Sequence, residues 1–165
     1  MELTKEQSRA EMMNRLEYMF IGKEKEFEDY IYSNIEEICS ILGLPAILLK
    51  DRQRMIHCDN FQIKPDIMVR HNDGTMTVFE IKKANEKYPH TAPVNQMQAV
   101  GQLLLYRNVL QAYINAPVRL ALIDNKIYYR TFCAFLGNNL PITLIELQND
   151  RIFVPYWGWS SSQRE

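Results

Sequence analysis

The chain has 165 residues, 47% of them apolar and 24% charged, with a formal net charge of −1. This excludes a disordered chain and suits a single domain with its own hydrophobic core over residues 1–159. It also excludes a non-specific nucleic-acid coat protein, whose basic residues would far outnumber its acids, so any grip on nucleic acid must be local.

Residues 4–20 read as a helix opened by Thr4 with Glu6 in its first turn, and residues 1–21 as an N-terminal helical extension. Gly22 punctuates. A second helix is expected over 23–42, with Phe20, Phe27, Ile31, Ile35, Ile38 and Leu42 near one stripe, stopped by Gly43 and Pro45. Residues 46–57 read as one long strand or a strand pair, along which Lys50, Arg52 and Arg54 alternate and so share a face. Cys58-Asp59-Asn60 is turn-like, and Ile63 to His71 reads as a strand. Asn72-Asp73-Gly74 is a turn, and Thr75 to Lys83 a further strand.

A polar loop with two prolines leads to a helix over 94–114, ended by Asn115-Ala116-Pro117. Val118 to Asp124 and Lys126 to Phe135 read as two strands joined at Asp124-Asn125. Ile142 to Trp157 reads as a smaller hairpin turning near Asn149-Asp150, and 160–165 as a disordered tail. The fold class is α/β: a mixed sheet flanked by helices, with a C-terminal β-hairpin. The helix over 94–114 is the crossover that lets the strand at 118 run parallel to the strand at 75–83.

The three cysteines, Cys39, Cys58 and Cys133, are scattered and odd in number, which excludes a disulfide framework and a zinc site. No stretch approaches the roughly 20 apolar residues of a membrane span, and residues 1–15 carry no apolar signal core. The expectation is a cytoplasmic protein with no membrane partner.

The chemistry concentrates on the central hairpin. A three-residue loop at Asn72-Asp73-Gly74, with Gly74 in the left-handed position, sets His71 opposite Thr75. The same register carries Asp66 to Glu80, with Cβ atoms roughly 5 Å apart. Like charges directly opposite destabilise a ribbon, and hard oxygen ligands at this spacing suit Mg²⁺ or Mn²⁺. Lys82 projects from the same strand face as Glu80, where an ammonium can orient water and offset phosphate charge. Phe79, Ile81, Ile67 and Val69 face the other way and build core.

Pro65-Asp66 followed by Glu80-Ile81-Lys82 resembles the signature of the PD-(D/E)XK nuclease superfamily, which has the restriction-endonuclease-like fold. Gln102 and Tyr106 resemble the QxxxY motif on the helix after the ExK strand, and they share a helix face. A glutamate on the preceding helix completes the likeness. Glu24 is preferred because it falls on the inward stripe, with Glu28 as the alternate. The resemblance spans Glu24 to Tyr106, about half the chain. It implies a Mg²⁺- or Mn²⁺-dependent nuclease that hydrolyses phosphodiester bonds of nucleic acid, with DNA the expected substrate because most of the family acts on DNA. Asp66, Glu80 and the Ile81 carbonyl would be metal ligands, with Glu24 reaching the ion directly or through water. Lys82, Gln102 and Tyr106 would complete the catalytic set. The rival reading is a module of the same fold without catalysis, serving as a binding or interaction protein of phage or mobile-element origin.

Lys50, Arg52 and Arg54 read either as a phosphate-tracking stripe or as a solvated edge face. His57, His71 and His90 show no ligand spacing and read as structural or surface residues. The segment Pro155-Tyr156-Trp157-Gly158-Trp159 reads either as a base-stacking surface or, preferably, as a core cover, a homodimer contact or a partner-protein contact.

Overall fold

The structure, a computed structural model, describes residues 24–84 and 89–159. The helix expected over 4–20 and the tail from residue 160 lie outside the described residues. The second helical pattern forms two helices, α1 (Glu24–Ser33) and α2 (Ile35–Ile41). Asn34 divides them: its side-chain amide donates to the Tyr30 carbonyl at 2.8 Å, competing with the helical ladder as a short polar side chain does. Gly43 ends α2 at φ 71°, and the Leu44 N–H then reaches back to the Cys39 carbonyl at 2.9 Å.

The strands are β1 (Ile47–Arg52), β2 (Ile56–Cys58), β3 (Phe61–Ile63), β4 (Ile67–His71) and β5 (Met76–Ile81). Of the two readings for 46–57, the strand pair is the one adopted, because Gln53 turns at φ 51° and ends β1. The strand expected from Ile63 to His71 is interrupted by Lys64-Pro65-Asp66: Ile63 closes the β2–β3 ribbon and β4 begins only at Ile67. Proline has no N–H to give to a central ladder, which accounts for the break.

A short 3₁₀ turn (Pro89–Thr91) leads into α3 (Ala92–Ile114), followed by β6 (Val118–Asp124). Residues 126–135 depart from expectation. They form no strand; instead α4 runs over Tyr129–Gly137. Their aromatic content imitates a strand. However, β7 (Ile142–Gln148) lies parallel to β6, and parallel neighbours need a crossover that a tight turn at Asp124-Asn125 cannot provide. Thr131 and Phe135, one helical turn apart, are buried, while Tyr129 and Leu136 face solvent. β8 (Arg151–Tyr156) closes the C-terminal hairpin, with Asn149 and Asp150 both left-handed at its tip (φ 47° and 62°).

The main sheet has the order β1-β4-β5-β6-β7-β8. β5, β6 and β7 are parallel, and β1/β4, β4/β5 and β7/β8 are antiparallel. Strand alternation divides two cores. Ile67, Val69, Phe79, Ile81 and Ile123 pack under α1 and α2 with Phe27, Ile31, Ile35 and Ile38. Met68, Val78, Leu120, Leu122 and Leu144 pack with Val100, Leu103 and Tyr106 of α3 and Phe135 of α4. A sheet covered on both faces requires β5 and β6 to be apolar along their whole length apart from a few residues, and both are buried throughout. The polar exceptions on β5 are Thr77 and Glu80.

Two of the three C-terminal aromatics cover core, in line with the preferred reading of that segment. Tyr156 packs edge-on to Phe135 and donates to the Leu140 carbonyl at 2.8 Å, and Trp159 donates to the Leu120 carbonyl at 2.8 Å. No helix among the described residues is long and apolar enough to cross a membrane.

Candidate active site at the end of the central ribbon

Local turn chemistry sets the site. Gly74 takes φ 87°, its N–H donates to the His71 carbonyl at 3.0 Å, and the His71 N–H donates to the Thr75 carbonyl at 2.9 Å. That loop fixes the β4–β5 register at Arg70↔Met76, Val69↔Thr77, Met68↔Val78 and Ile67↔Phe79. One residue further on, Asp66 comes level with Glu80. The Ile81 N–H donates to Asp66 Oδ2 at 2.8 Å, which ties the Asp66 carboxylate to the strand that carries Glu80.

Glu80 is 3% exposed, and its Oε2 has no hydrogen-bond partner. Burial, reinforced by the Asp66 charge, pushes its carboxyl up to about 8, against the pull of Lys82. Lys82 places its Nζ 3.5 Å from Glu80 Oε1. Burial also raises the Asp66 carboxyl, and the nearby Glu28 charge adds to the rise; the Ile81 and Gln53 hydrogen bonds and Lys82 oppose it.

The two glutamates of α1 occupy different environments. Glu28 is 7% exposed, with Phe27 and Ile31 on the inward face. It accepts Arg52 Nε at 2.9 Å and Gln53 Nε2 at 3.0 Å. Glu24, the first residue of the helix, is exposed as a whole. The inward stripe therefore belongs to Glu28, beside Phe27 and Ile31, which corrects the sequence expectation that Glu24 falls on it. Glu24 still takes part in the cluster. Loss of water around its carboxyl raises it, Lys82 lowers it, Asp66 raises it, and it accepts the Lys83 main-chain N–H.

Tyr106 of α3 is 7% exposed and lies within electrostatic reach of the cluster. Burial pushes its hydroxyl up to about 12, with Glu80 and Asp66 adding to the shift. Gln102, one turn earlier, is exposed.

Lys50 and Arg52 share a face of β1, as their alternation predicts, both lying over the Tyr32 ring, whereas Arg54 lies beyond the strand. Lys50 pairs with Glu36 at 2.8 Å and lies 4.6 Å from the centre of the Tyr32 ring. Arg52 pairs with Glu28 and with Asp29. Arg54 lies beyond β1 and pairs with Asp51 at 3.0 Å. Packing of α1 and α2 over the edge of β1 turns Lys50 and Arg52 toward helix acids, an arrangement that alternation along one strand does not reveal.

Gln53 is the site neighbour that sequence reasoning missed. It belongs to no motif, and only the β1–β4 pairing, Arg52↔Ile67, brings it level with Asp66. Its Nε2 lies 2.8 Å from Asp66 Oδ1.

Among the described residues, no three His, Cys, Asp or Glu side chains form a ready-made metal cluster. The chemistry of the two carboxylates nevertheless fits a hard divalent cation. Asp66 and Glu80 are oxygen donors at the same level of the ribbon, and one buried Glu80 oxygen has no partner.

Comparison with protein-family models gives no match, and no curated protein matches the chain. Among solved structures, the chain is similar to one described as a restriction endonuclease PspGI–substrate DNA complex. The TM-score is 0.43 and the identity 15%, over 86% of this chain and 51% of that one. The match spans about half the length of that chain.

Proposed function

We propose that the chain is a metal-dependent nuclease that hydrolyses phosphodiester bonds of nucleic acid, with DNA as the expected substrate. The observation that carries this reading is the meeting of Asp66, Glu80 and Lys82 at one end of the central ribbon, with a buried Glu80 oxygen left without a partner. The expectation of DNA rests on the resemblance of Pro65-Asp66, Glu80-Ile81-Lys82 and Gln102…Tyr106 to the PD-(D/E)XK signature.

Asp66, Glu80 and the Ile81 carbonyl would hold Mg²⁺ or Mn²⁺, with Glu28 or Glu24 contributing directly or through water. When bound, such an ion supplies a water of lowered pKa and neutralises phosphate charge. The protein's own part is positional and electrostatic. Lys82 keeps an ammonium beside Glu80, where it can orient the attacking water and offset charge on the phosphate. Tyr106 presents a protonated hydroxyl at the border of the cluster, a donor at any physiological pH. Gln102, exposed one turn away, would touch substrate.

The test is an assay of purified protein with Mg²⁺ or Mn²⁺ on single-stranded, double-stranded and branched DNA and on RNA. Cleavage should appear with metal, vanish with chelator, and be abolished by Glu80→Ala and Lys82→Ala with the fold intact. Absence of cleavage on every substrate, with nucleic-acid binding retained, would instead identify a binding module.

A further inference from the structure

We propose that Gln53 is a positioning residue of this site: its side-chain amide sets the orientation in which Asp66 offers its carboxylate to a divalent cation, and it couples Asp66 to Glu28. The inference rests on the metal-dependent reading above.

Gln53 is tied to Asp66 twice. Its main-chain N–H donates to the Asp66 carbonyl at 2.9 Å, and its Nε2 donates to Asp66 Oδ1 at 2.8 Å. The same nitrogen lies 3.0 Å from each oxygen of Glu28. A primary amide has two N–H groups: one serves Asp66 and the other is shared by the two Glu28 oxygens. The Ile81 N–H takes the other Asp66 oxygen at 2.8 Å. Each Asp66 oxygen therefore receives one donor, one from the end of β1 and one from β5. The plane of the carboxylate is fixed, and a lone pair remains on each oxygen for a further ligand.

The backbone supports the same conclusion. Gln53 sits at φ 51°, a conformation in which Gly or Asn is the residue ordinarily found. Asn is one methylene shorter than Gln. A glutamine at this position is explained by the reach of its amide to two carboxylates, not by the turn. Gln53 thus places a neutral donor between the carboxyl groups of Glu28 and Asp66. Groups that orient metal-binding carboxylates in this way typically govern metal affinity by roughly 10–100-fold.

The experiment is Mn²⁺ titration calorimetry on wild-type protein, Gln53→Gly and Gln53→Met, with melting of each metal-free protein alongside. Glycine keeps the left-handed turn and removes the amide, whereas methionine keeps the length and removes the donors. The expected result is a Mn²⁺ Kd weakened roughly 10–100-fold in both variants, with metal-free melting lowered by only a few degrees as Glu28 and Asp66 each lose a donor. If wild type binds Mn²⁺ and both variants bind it equally well, the role of Gln53 is overturned while the nuclease reading stands. Weakening that merely tracks a large loss of melting temperature also overturns it, since that marks a structural residue. If wild type takes up no Mn²⁺ and cuts nothing, the metal-dependent reading fails and takes this inference with it.

Discussion

The main-chain N–H of Ile81 donates to Asp66 Oδ2 at 2.8 Å, so the strand that presents Glu80 and Lys82 also holds the carboxylate delivered by the chain entering its neighbour. Acid and amine are placed by the same ladder that makes the sheet. Changes to single side chains at this end should therefore separate chemistry from folding.

Glu80 supplies the first such separation. It is buried with one oxygen unpartnered, so in the absence of metal its charge opposes folding. Glu80→Gln should abolish cleavage yet raise the melting temperature in chelator by roughly 2–4 °C, the shift that about 1 kcal/mol produces in a chain of this size. Thermal melting with and without Mg²⁺ checks this; a variant that melts lower in chelator would mean that the Glu80 charge is already compensated without metal.

Arg52 and Lys50 should differ sharply although both are basic residues of β1. Arg52 is a hydrogen-bond donor to the buried Glu28 carboxylate, and Arg52→Ala leaves that acceptor short, at a cost of about 1.5–3 kcal/mol. Lys50 pairs with Glu36, which is 57% exposed, and Lys50→Ala should cost about 0–1 kcal/mol. Urea unfolding of the two variants measures both. Equal, small effects would show that the Arg52 pair is solvated.

Gly158 carries a steric demand. A Cβ added there would lie 2.3 Å from the Ile142 nitrogen, and backbone atoms of β7 cannot move aside as a flexible side chain would. Gly158→Ala should destabilise by about 1–3 kcal/mol or more and loosen the seat of Trp159. Denaturant midpoints, together with the tryptophan emission spectrum, report both effects; an unchanged midpoint would count against this packing.

His71 gives the fold a pH dependence of predictable sign. It is fully buried, its Nδ1 donates to the Pro45 carbonyl at 2.7 Å, and its Nε2 lies 2.8 Å from the Thr77 hydroxyl. Since the carbonyl only accepts, the neutral ring carries its proton on Nδ1 and Nε2 accepts from Thr77. Burial lowers its pKa below the ordinary 6.5. Below that value the unfolded chain takes up a proton that the native ring refuses. The stability from neutral His71 is thus fully present above 6.5 and lost as pH falls toward the folded pKa, by at most about 1.4 kcal/mol per pH unit. Urea unfolding at about pH 7.5 and about pH 5.5 should show wild type losing more stability on acidification than His71→Gln. Parallel losses in the two proteins would assign the dependence to other groups.

Features set over short stretches of chain were readable from the residues alone. The loop at Asn72-Asp73-Gly74 fixes its hairpin because only a few backbone conformations close it, and the register then brings Asp66 level with Glu80. The Asn149-Asp150 hairpin and the long crossover helix followed from equally local signals. Tertiary packing decided the remainder. Residues 129–137 became a helix because β7 runs parallel to β6. Glu28 took the inward place through the packing of α1 on the sheet, and Lys50 and Arg52 found their partners among acids of α2 and α1. Gln53 joined Asp66 through the pairing of β1 with β4, between residues that no local pattern links. Turn and strand chemistry act over a few bonds, whereas the partner of a polar side chain depends on how separate elements stack, which is settled only when the whole core closes.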